Sequence, residues 1–257
     1  MSRTPELHIF PDSQELARKA ADFVLRSGEE AIEEQGRFLI ALSGGSTPKA
    51  LYSLLAKPSF ARRLDWSKVH FLFGDERGVP PSHPDSNYAM VNEVLFSPLR
   101  ISPAQIHRMR GEDHPETAAA QYEDTLRRLT STARGQWPIL DLILLGMGDD
   151  GHTASLFPGT ASLTEHTRWV TPSVAPQAPH PRLTLTLGVI NHASVILFLV
   201  TGPNKAHILQ RVIERRPTDP IVYPAQLVQP ECGRLLWYLD QAAAAELATS
   251  VHDFPSR

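Results

Sequence analysis

The 257-residue sequence contains a single cysteine, Cys232. One thiol excludes an internal disulfide framework and a cluster of thiolate metal ligands, which fits a protein of the reducing cytoplasm. Because an unpaired cysteine packs as a small hydrophobic residue, we expect Cys232 in the core.

The sequence also lacks an excess of charge of either sign. The chain has 25 Lys and Arg against 28 Asp and Glu, a net charge of −3. A protein whose main task is to grip nucleic acid needs a broad basic surface, so this class is disfavoured. A local pocket for an anion remains compatible with these numbers.

Long hydrophobic runs are absent as well. The longest candidate, Leu183 to Val200, is interrupted by threonine, asparagine, histidine and serine, so it is too polar for a membrane span. The N-terminus is charged and broken by Pro5, unlike a signal peptide. We therefore expect a cytoplasmic protein without membrane or nucleic-acid partners, either a monomer or a small homo-oligomer.

Short β-branched or aromatic runs alternate with segments of helical period along the whole chain. The predicted strands are Leu7–Phe10, Arg37–Leu42, Val69–Phe73, Gln105–Met109, Leu140–Leu145, Trp169–Thr171, Leu183–Leu187, Val195–Val200 and Leu235–Leu239. The predicted helices are Ser13–Glu34, one from Pro48 with Thr47 as N-cap, Asn87–Leu95, Pro115–Leu129, Pro203–Glu214 and an alanine-rich helix capped by Asp240.

This alternation predicts one α/β domain over residues 1–257, with a mostly parallel sheet covered by helices on both faces. No repeat or low-complexity linker divides the chain. In such folds ligands bind beyond the carboxyl ends of the strands, where the polar glycine-rich turns of this sequence lie.

The first such turn is Ser43-Gly44-Gly45-Ser46-Thr47. Backbone N–H groups freed by the glycines, ahead of a helix N-terminus, favour a phosphate or a carboxylate. The spacing is not that of the P-loop, so nucleoside triphosphates are disfavoured. The alternative is an ordinary glycine turn.

The second turn, Gly146-Met147-Gly148-Asp149-Asp150-Gly151, matches the dinucleotide fingerprint letter for letter. We reject that interpretation because Asp149 and Asp150 would face a pyrophosphate and Pro158 shortens the helix that should follow. What remains is a turn that presents His152 beside carboxylates.

His152 is a candidate general base, since histidine titrates near neutral pH and a carboxylate such as Asp150 holds one ring tautomer. A structural histidine is the alternative. Asp149, Asp150 and His152 form a poor zinc set and no H-E-x-x-H spacing occurs, so we expect no metal and no cofactor. No nucleophilic serine or cysteine motif is visible, which leaves water as the nucleophile.

Several cationic side chains lie at strand ends or at the starts of helices. Arg77 in Asp75-Glu76-Arg77 is placed to polarise a carbonyl or grip a carboxylate. Arg182 and Lys205, together with the Ser43–Thr47 turn, would neutralise a phosphate dianion. Taken singly, Arg77 is equally consistent with a surface ion pair, and Arg182 and Lys205 are more typical of solvated surface charges.

These motifs together resemble the glucosamine-6-phosphate isomerase/6-phosphogluconolactonase family, and within it the 6-phosphogluconolactonases. The resemblance covers nearly the whole chain. It rests on Ser43–Pro48, Asp75–Arg77, Ser86–Tyr88, Gly146–Gly159, Arg182–Thr184, Gly202 with Lys205, and Leu236–Asp240.

The resemblance implies a three-layer α/β/α fold related to glucosamine-6-phosphate deaminase, and hydrolysis of 6-phospho-D-glucono-1,5-lactone without a cofactor. It implies that His152 activates water, that Arg77 stabilises the substrate or the oxyanion, and that Asp75 and Asp150 support them. The remaining implied residues would hold the substrate, chiefly its phosphate: Gly44, Gly45, Ser46, Thr47, Arg182 and Lys205.

Two other functions stay open at this stage. A glucosamine-6-phosphate deaminase would share the fold and the glycine turn. In the motif that such deaminases resemble, however, a glutamate follows the histidine. Here Thr153 to Pro158 contains no carboxylate. The other alternative is a sugar-phosphate sensor that lost its chemistry, although His152 and Arg77 are both present.

Overall fold

The computed structural model describes residues 4–133, 135–176, 179–214 and 223–248. Its centre is a six-stranded sheet in which every neighbouring pair is parallel, in the order Glu6–Phe10 (β1), Arg234–Asp240 (β9), Val195–Val200 (β8), Leu142–Leu145 (β5), Phe38–Leu42 (β2) and Val69–Phe73 (β3). A smaller, antiparallel sheet has the order Asp75–Arg77 (β4), Pro181–Leu185 (β7) and Val170–Val174 (β6).

The strands are β1 Glu6–Phe10, β2 Phe38–Leu42, β3 Val69–Phe73, β4 Asp75–Arg77, β5 Leu142–Leu145, β6 Val170–Val174, β7 Pro181–Leu185, β8 Val195–Val200 and β9 Arg234–Asp240. The helices are α1 Ser13–Gln35, α2 Ser46–Leu55, α3 Pro58–Ala61, α4 Asn87–Val91, α5 Ser97–Leu99, α6 Pro115–Thr130, α7 Leu187–Asn191 and α8 Ala206–Ile213. A π-helical stretch, Asn92–Phe96, joins α4 to α5.

Successive residues of the large sheet point to opposite faces, and each face has its own core. In β2, Phe38, Ile40 and Leu42 pack with α1, α2 and α4, whereas Leu39 and Ala41 pack with α6, α7 and α8. Helices therefore cover both faces of a parallel sheet. This confirms the predicted three-layer α/β/α fold.

Local signals at both ends of α1 explain its length. The Asp12 carboxylate accepts the backbone N–H groups of Gln14 and Glu15, and thereby satisfies two donors that the first turn leaves free. At the other end Gly36 adopts a φ of 79°, a left-handed conformation that favours glycine, and its N–H bonds to Ile32.

The structure corrects four of the element predictions. Gln105–Met109 is not a strand, because Ile106 makes only an isolated bridge to Phe71 at the edge of the sheet. The strand predicted at Leu183–Leu187 begins two residues earlier, pairs antiparallel in the small sheet and gives way to α7 at Leu187. The helix predicted from Pro203 begins as a short 3-10 turn, Pro203–Lys205, and becomes α-helical at Ala206.

The fourth correction concerns the C-terminal part. Residues 241–248 form turns instead of the predicted alanine-rich helix. The Asp240 carboxylate does accept the N–H of Ala243, but it also accepts the N–H of Gly202 from the neighbouring β8 side.

Two further observations bear on the composition. Cys232 is exposed, so the prediction of a core cysteine is wrong: it lies in the turn that precedes β9. Among the described helices, none combines the length and the apolar content needed to cross a bilayer.

Candidate active site

A cavity of about 640 Å³ opens at the carboxyl ends of β2, β5 and β8 and reaches the small sheet. All eleven residues predicted for the site line it: Ser43, Gly44, Gly45, Ser46, Thr47, Asp75, Arg77, Asp150, His152, Arg182 and Lys205. The structure thus brings together segments that are far apart in the chain. The chemical roles of these residues stay predictions.

The glycine turn after β2 is a tight connection into α2. Gly45 has a φ of 105°, which favours glycine, and it is the N-cap of a helix that begins at Ser46. The prediction of Thr47 as N-cap is therefore wrong. A Cβ on Gly44 would lie 1.9 Å from Oδ1 of Asn87, so this backbone must remain bare to pass that side chain.

The base of this turn is held from within the core. The buried Tyr52 hydroxyl accepts the N–H of Ser43 and donates to its carbonyl, both at 3.0 Å. The Ser43 hydroxyl is buried and has no hydrogen-bond partner among the described residues. An unsatisfied buried hydroxyl beside free backbone N–H groups suits a ligand with acceptor oxygens.

His152 lies in a turn that its glycines close around the imidazole. The N–H of Gly148 donates to the carbonyl of His152 at 2.8 Å, and Gly151 has a φ of 75°. A Cβ on Gly148 would lie 2.1 Å from Nδ1 of His152. Gly148, the middle glycine of the apparent dinucleotide fingerprint, therefore makes room for the histidine ring.

The imidazole is fixed on two sides. Its Nδ1 lies 2.6 Å from Oδ1 of Asp150, and its ring centroid is 4.6 Å from that of Phe157. Because Asp150 occupies Nδ1, Nε2 is the nitrogen left to act on a ligand.

Asp150 keeps its negative charge next to this ring. Desolvation raises the pKa of the Asp150 carboxyl. Hydrogen bonds from the backbone N–H and the ring of His152, together with electrostatic attraction to that ring, lower this pKa by more than desolvation raises it. The pKa consequently lies below the ordinary value for aspartate. The ionised carboxylate at Nδ1 thus holds one tautomer of the His152 ring.

Asp75 is buried in the wall of the cavity. Its carboxylate accepts the Ser155 hydroxyl at 2.7 Å and the Asn87 amide at 3.2 Å. Asp75 therefore connects the segment after β3 to the turn that carries His152. Ser155 and Asn87 belonged to motifs of the resemblance, but nothing in the sequence showed that they would meet at Asp75.

The two arginines of the site are neighbours in the small sheet. Arg77 of β4 is paired in register with Arg182 of β7. Desolvation, followed by repulsion from Arg77, lowers the pKa of Arg182 without discharging it. Nη1 of Arg182 is buried and without a partner among the described residues. Two adjacent guanidinium groups with an unused donor favour a bound anion.

Arg77 and Lys205 already have partners at the cavity. A terminal nitrogen of Arg77 donates to the main-chain oxygen of Asp85. The ammonium of Lys205 pairs with the Asp149 carboxylate, to which the Asn204 amide also donates at 3.1 Å. Sequence reasoning missed Asn204 and Thr201; Thr201 shares a hydrogen bond of 2.7 Å with Thr47 across the cavity wall.

Comparisons with known proteins show what the chain as a whole is similar to. The family model described as "Glucosamine-6-phosphate isomerases/6-phosphogluconolactonase" matches residues 11–237. A 6-phosphogluconolactonase of Nostoc sp. is 44% identical over 96% of this chain and all of its own length. The structure of a 6-phosphogluconolactonase from Trypanosoma cruzi is 30% identical with a TM-score of 0.85, covering 96% of this chain and 98% of its own.

A more distant structure shares the fold alone. A monomeric glucosamine-6-phosphate deaminase is 22% identical with a TM-score of 0.76, covering 94% of this chain and 99% of its own. The central sheet and its helical layers are therefore common to the structures of a 6-phosphogluconolactonase and a glucosamine-6-phosphate deaminase.

Proposed function

Since the chain belongs to the glucosamine-6-phosphate isomerase/6-phosphogluconolactonase family, we propose that it hydrolyses 6-phospho-D-glucono-1,5-lactone to 6-phosphogluconate, the lactone-opening step of the oxidative pentose phosphate pathway. One observation carries the proposal: the Asp150–His152 pair shares a single cavity with the glycine turn and with Arg182. Ester hydrolysis needs a base, and a phosphosugar needs an anion cradle that positions it. The proposed setting is the cytoplasm.

In this mechanism His152 acts as the general base. As water attacks C1 of the lactone, Nε2 takes one proton and the ring becomes cationic beside the ionised Asp150. Negative charge develops on the carbonyl oxygen, where the Arg77 guanidinium stabilises it. Collapse of the intermediate breaks the bond between C1 and the ring oxygen, which receives the proton from His152. The product is a carboxylic acid that ionises at neutral pH.

The phosphate end of the substrate is held away from the reacting carbon. The backbone N–H groups and hydroxyls of residues 43–47 form one side of its site, and Arg182 and Lys205 supply cations. Because Lys205 already pairs with Asp149, an incoming phosphate competes with that carboxylate for the ammonium group. Nη1 of Arg182, which has no partner in the described part of the chain, gains a hydrogen bond on binding.

A titration of acid released from freshly made lactone tests the activity. At constant pH the protein should accelerate acid release well above the spontaneous opening of the lactone. Ammonia released from glucosamine 6-phosphate would instead support the deaminase function. Binding of 6-phosphogluconate without any acceleration would make the protein a sensor, and either result would overturn the proposal.

Two substitutions should separate chemistry from binding. We expect His152→Ala to reduce kcat by roughly 10²- to 10⁴-fold, the usual contribution of a general base, while it still binds 6-phosphogluconate in calorimetry. Arg182→Ala should mainly raise KM and weaken that binding, because it removes a phosphate contact made before and during the reaction. His166→Ala, an exposed residue outside the cavity, is the control. Full turnover by the His152 variant would show that the base is another group.

A further inference from the structure

Three side chains from two loops meet beside the small sheet. Oδ2 of Asp85 lies 3.9 Å from Nδ1 of His83 and 3.2 Å from Nε2 of His180. One ligand atom from each residue lies within 4.8 Å of the other two. We propose that His83, Asp85 and His180 form a binding site for a divalent transition-metal ion, with zinc as the representative ion.

The chemistry of the set fits such an ion. Two imidazoles and one carboxylate match the preference of Zn²⁺, Ni²⁺ and Cu²⁺, whereas Mg²⁺ and Ca²⁺ prefer oxygen ligands. In a tetrahedral zinc site with bonds of about 2.0–2.1 Å, ligand atoms lie roughly 3.3 Å apart. The distance from His180 to Asp85, 3.2 Å, is already close to this value, and that from His83 to Asp85, 3.9 Å, is somewhat longer.

The backbone at His83 and directly after His180 is hydrogen-bonded before any ion arrives. The N–H of His83 bonds to the carbonyl of Pro80, and the carbonyl of His83 accepts the N–H of Ser86, both at 2.9 Å. On the other side, the N–H of Gly78 bonds to the carbonyl of Pro181 at 2.8 Å, directly after His180. The turn that carries His83 and the strand residue after His180 are therefore fixed by hydrogen bonds, which reduces the entropic cost of binding.

One existing contact would be exchanged on binding. Nδ1 of His83 accepts the backbone N–H of Asp85 at 3.1 Å, so this nitrogen carries no proton and has a lone pair to offer. All three side chains are partly exposed, with 39%, 56% and 27% of the side-chain surface of His83, Asp85 and His180 accessible. Water therefore has access to complete the coordination of the ion.

The cluster is distinct from the cavity of the proposed active site, because none of its three residues lines that cavity. It is nevertheless connected to it. The carbonyl of Asp85 accepts a hydrogen bond from Arg77, and His180 precedes Arg182 by two residues. A bound ion would cross-link the two segments that present these arginines.

Calorimetric titration of the metal-stripped protein with zinc chloride, in a buffer that does not chelate, tests the site. We expect one zinc ion per chain at this site and a higher melting temperature of the wild type in its presence. His180→Ala and His83→Ala should each weaken zinc binding by at least roughly 10- to 100-fold. Mutation of residues that only hydrogen-bond to metal ligands already lowers metal affinity by this factor. Their melting temperatures without zinc should match the wild type.

The matched control is His207→Ala, which removes an exposed histidine that faces a single carboxylate, Glu246. It should bind zinc as the wild type does. Saturating 6-phosphogluconate separates this site from the Asp150–His152 pair, because zinc on His83, Asp85 and His180 should persist when the cavity is filled. Undiminished binding by His180→Ala, displacement of zinc by 6-phosphogluconate, or no binding at millimolar zinc would each overturn the proposal.

Discussion

At the scale of single residues, the Asp150–His152 pair owes its geometry to the turn around it. Asp150 accepts both the backbone N–H of His152 at 3.1 Å and its ring nitrogen at 2.6 Å. A single carboxylate oxygen therefore defines the local backbone and the tautomer of the ring. This double contact makes Asp150 a positioning residue with an electrostatic role in the proposed reaction.

Replacing Asp150 with asparagine should separate these two roles. The amide oxygen keeps one acceptor for the backbone N–H, but the charge that stabilises the cationic ring is lost. Because a hydrogen bond to a charged group contributes about 1.5–3 kcal/mol, we expect kcat to fall roughly 10- to 100-fold. KM and the urea midpoint of unfolding should change little. An unchanged kcat would contradict an electrostatic role, and a large loss of stability would make the residue structural.

Sequence patterns predicted residues that line the site but not the contacts that hold them in place. The glycine turn and His152 could be predicted because each follows a buried strand, where parallel folds bind ligands. The bond between Asp75 and Ser155 joins residues 80 positions apart, and no periodicity encodes that contact. The N-cap was misassigned because threonine is a good cap by type, whereas the φ of 105° at Gly45 decides where α2 begins.

At the scale of elements, periodicity predicted every strand of the parallel sheet and failed where strands are short. Val69–Phe73 and Val195–Val200 have the predicted bounds, because predominantly apolar runs suit a sheet buried on both faces. The three-residue strand β4 is absent from the prediction, because Asp75-Glu76-Arg77 carries no apolar alternation. Its backbone pairs with β7, a partner about a hundred residues away.

The segment around Ile106 is not a strand, but it is hydrogen-bonded to the edge of the large sheet. The N–H of His107 bonds to the carbonyl of Phe71 in β3 at 2.8 Å, and its Nε2 lies 3.1 Å from Nδ1 of His70. Desolvation, then repulsion from His70 and Arg128, lowers the pKa of His107 to about 4. The ring is thus held neutral where the unfolded chain would become protonated.

This shift has a definite consequence for acid stability. Below about pH 6.5 the unfolded chain takes up a proton that native His107 refuses until about pH 4, so the native state loses stability as the pH falls through this range. One such proton contributes a slope of up to about 1.4 kcal/mol per pH unit. Urea unfolding of His107→Gln should show a shallower loss between pH 6.5 and 4 than the wild type.

The comparison needs a histidine that is not buried. His207→Gln, at a side chain that is two-thirds exposed, should retain the wild-type slope. Parallel pH dependences of the wild type and His107→Gln would contradict the assignment, whatever the difference in their stability at neutral pH.

At the scale of the whole molecule, the cavity exists because the parallel sheet and the antiparallel sheet meet. The parallel sheet supplies the turns after β2, β5 and β8, and the antiparallel sheet supplies Arg77 and Arg182. The sequence predicted the first contribution from its βα alternation. The second depends on β4 leaving the large sheet directly after β3, a change of direction at Gly74 that periodicity does not reveal.

A ligand that touches the turns after β2, β5 and β8 should protect them from hydrogen exchange. We expect 6-phosphogluconate at about 100 times its Kd to slow amide exchange in residues 43–48, 150–155 and 202–205, because those turns must open against the binding free energy, about 2.7 kcal/mol at this concentration. Inorganic phosphate, which fills only the cradle, should protect 43–48 and 202–205 and leave 150–155 unchanged. Mass spectrometry of quenched samples measures all three segments in one experiment. Protection by 6-phosphogluconate confined to 43–48 and 202–205 would mean that the sugar does not reach His152, and the proposed catalytic arrangement would then be wrong.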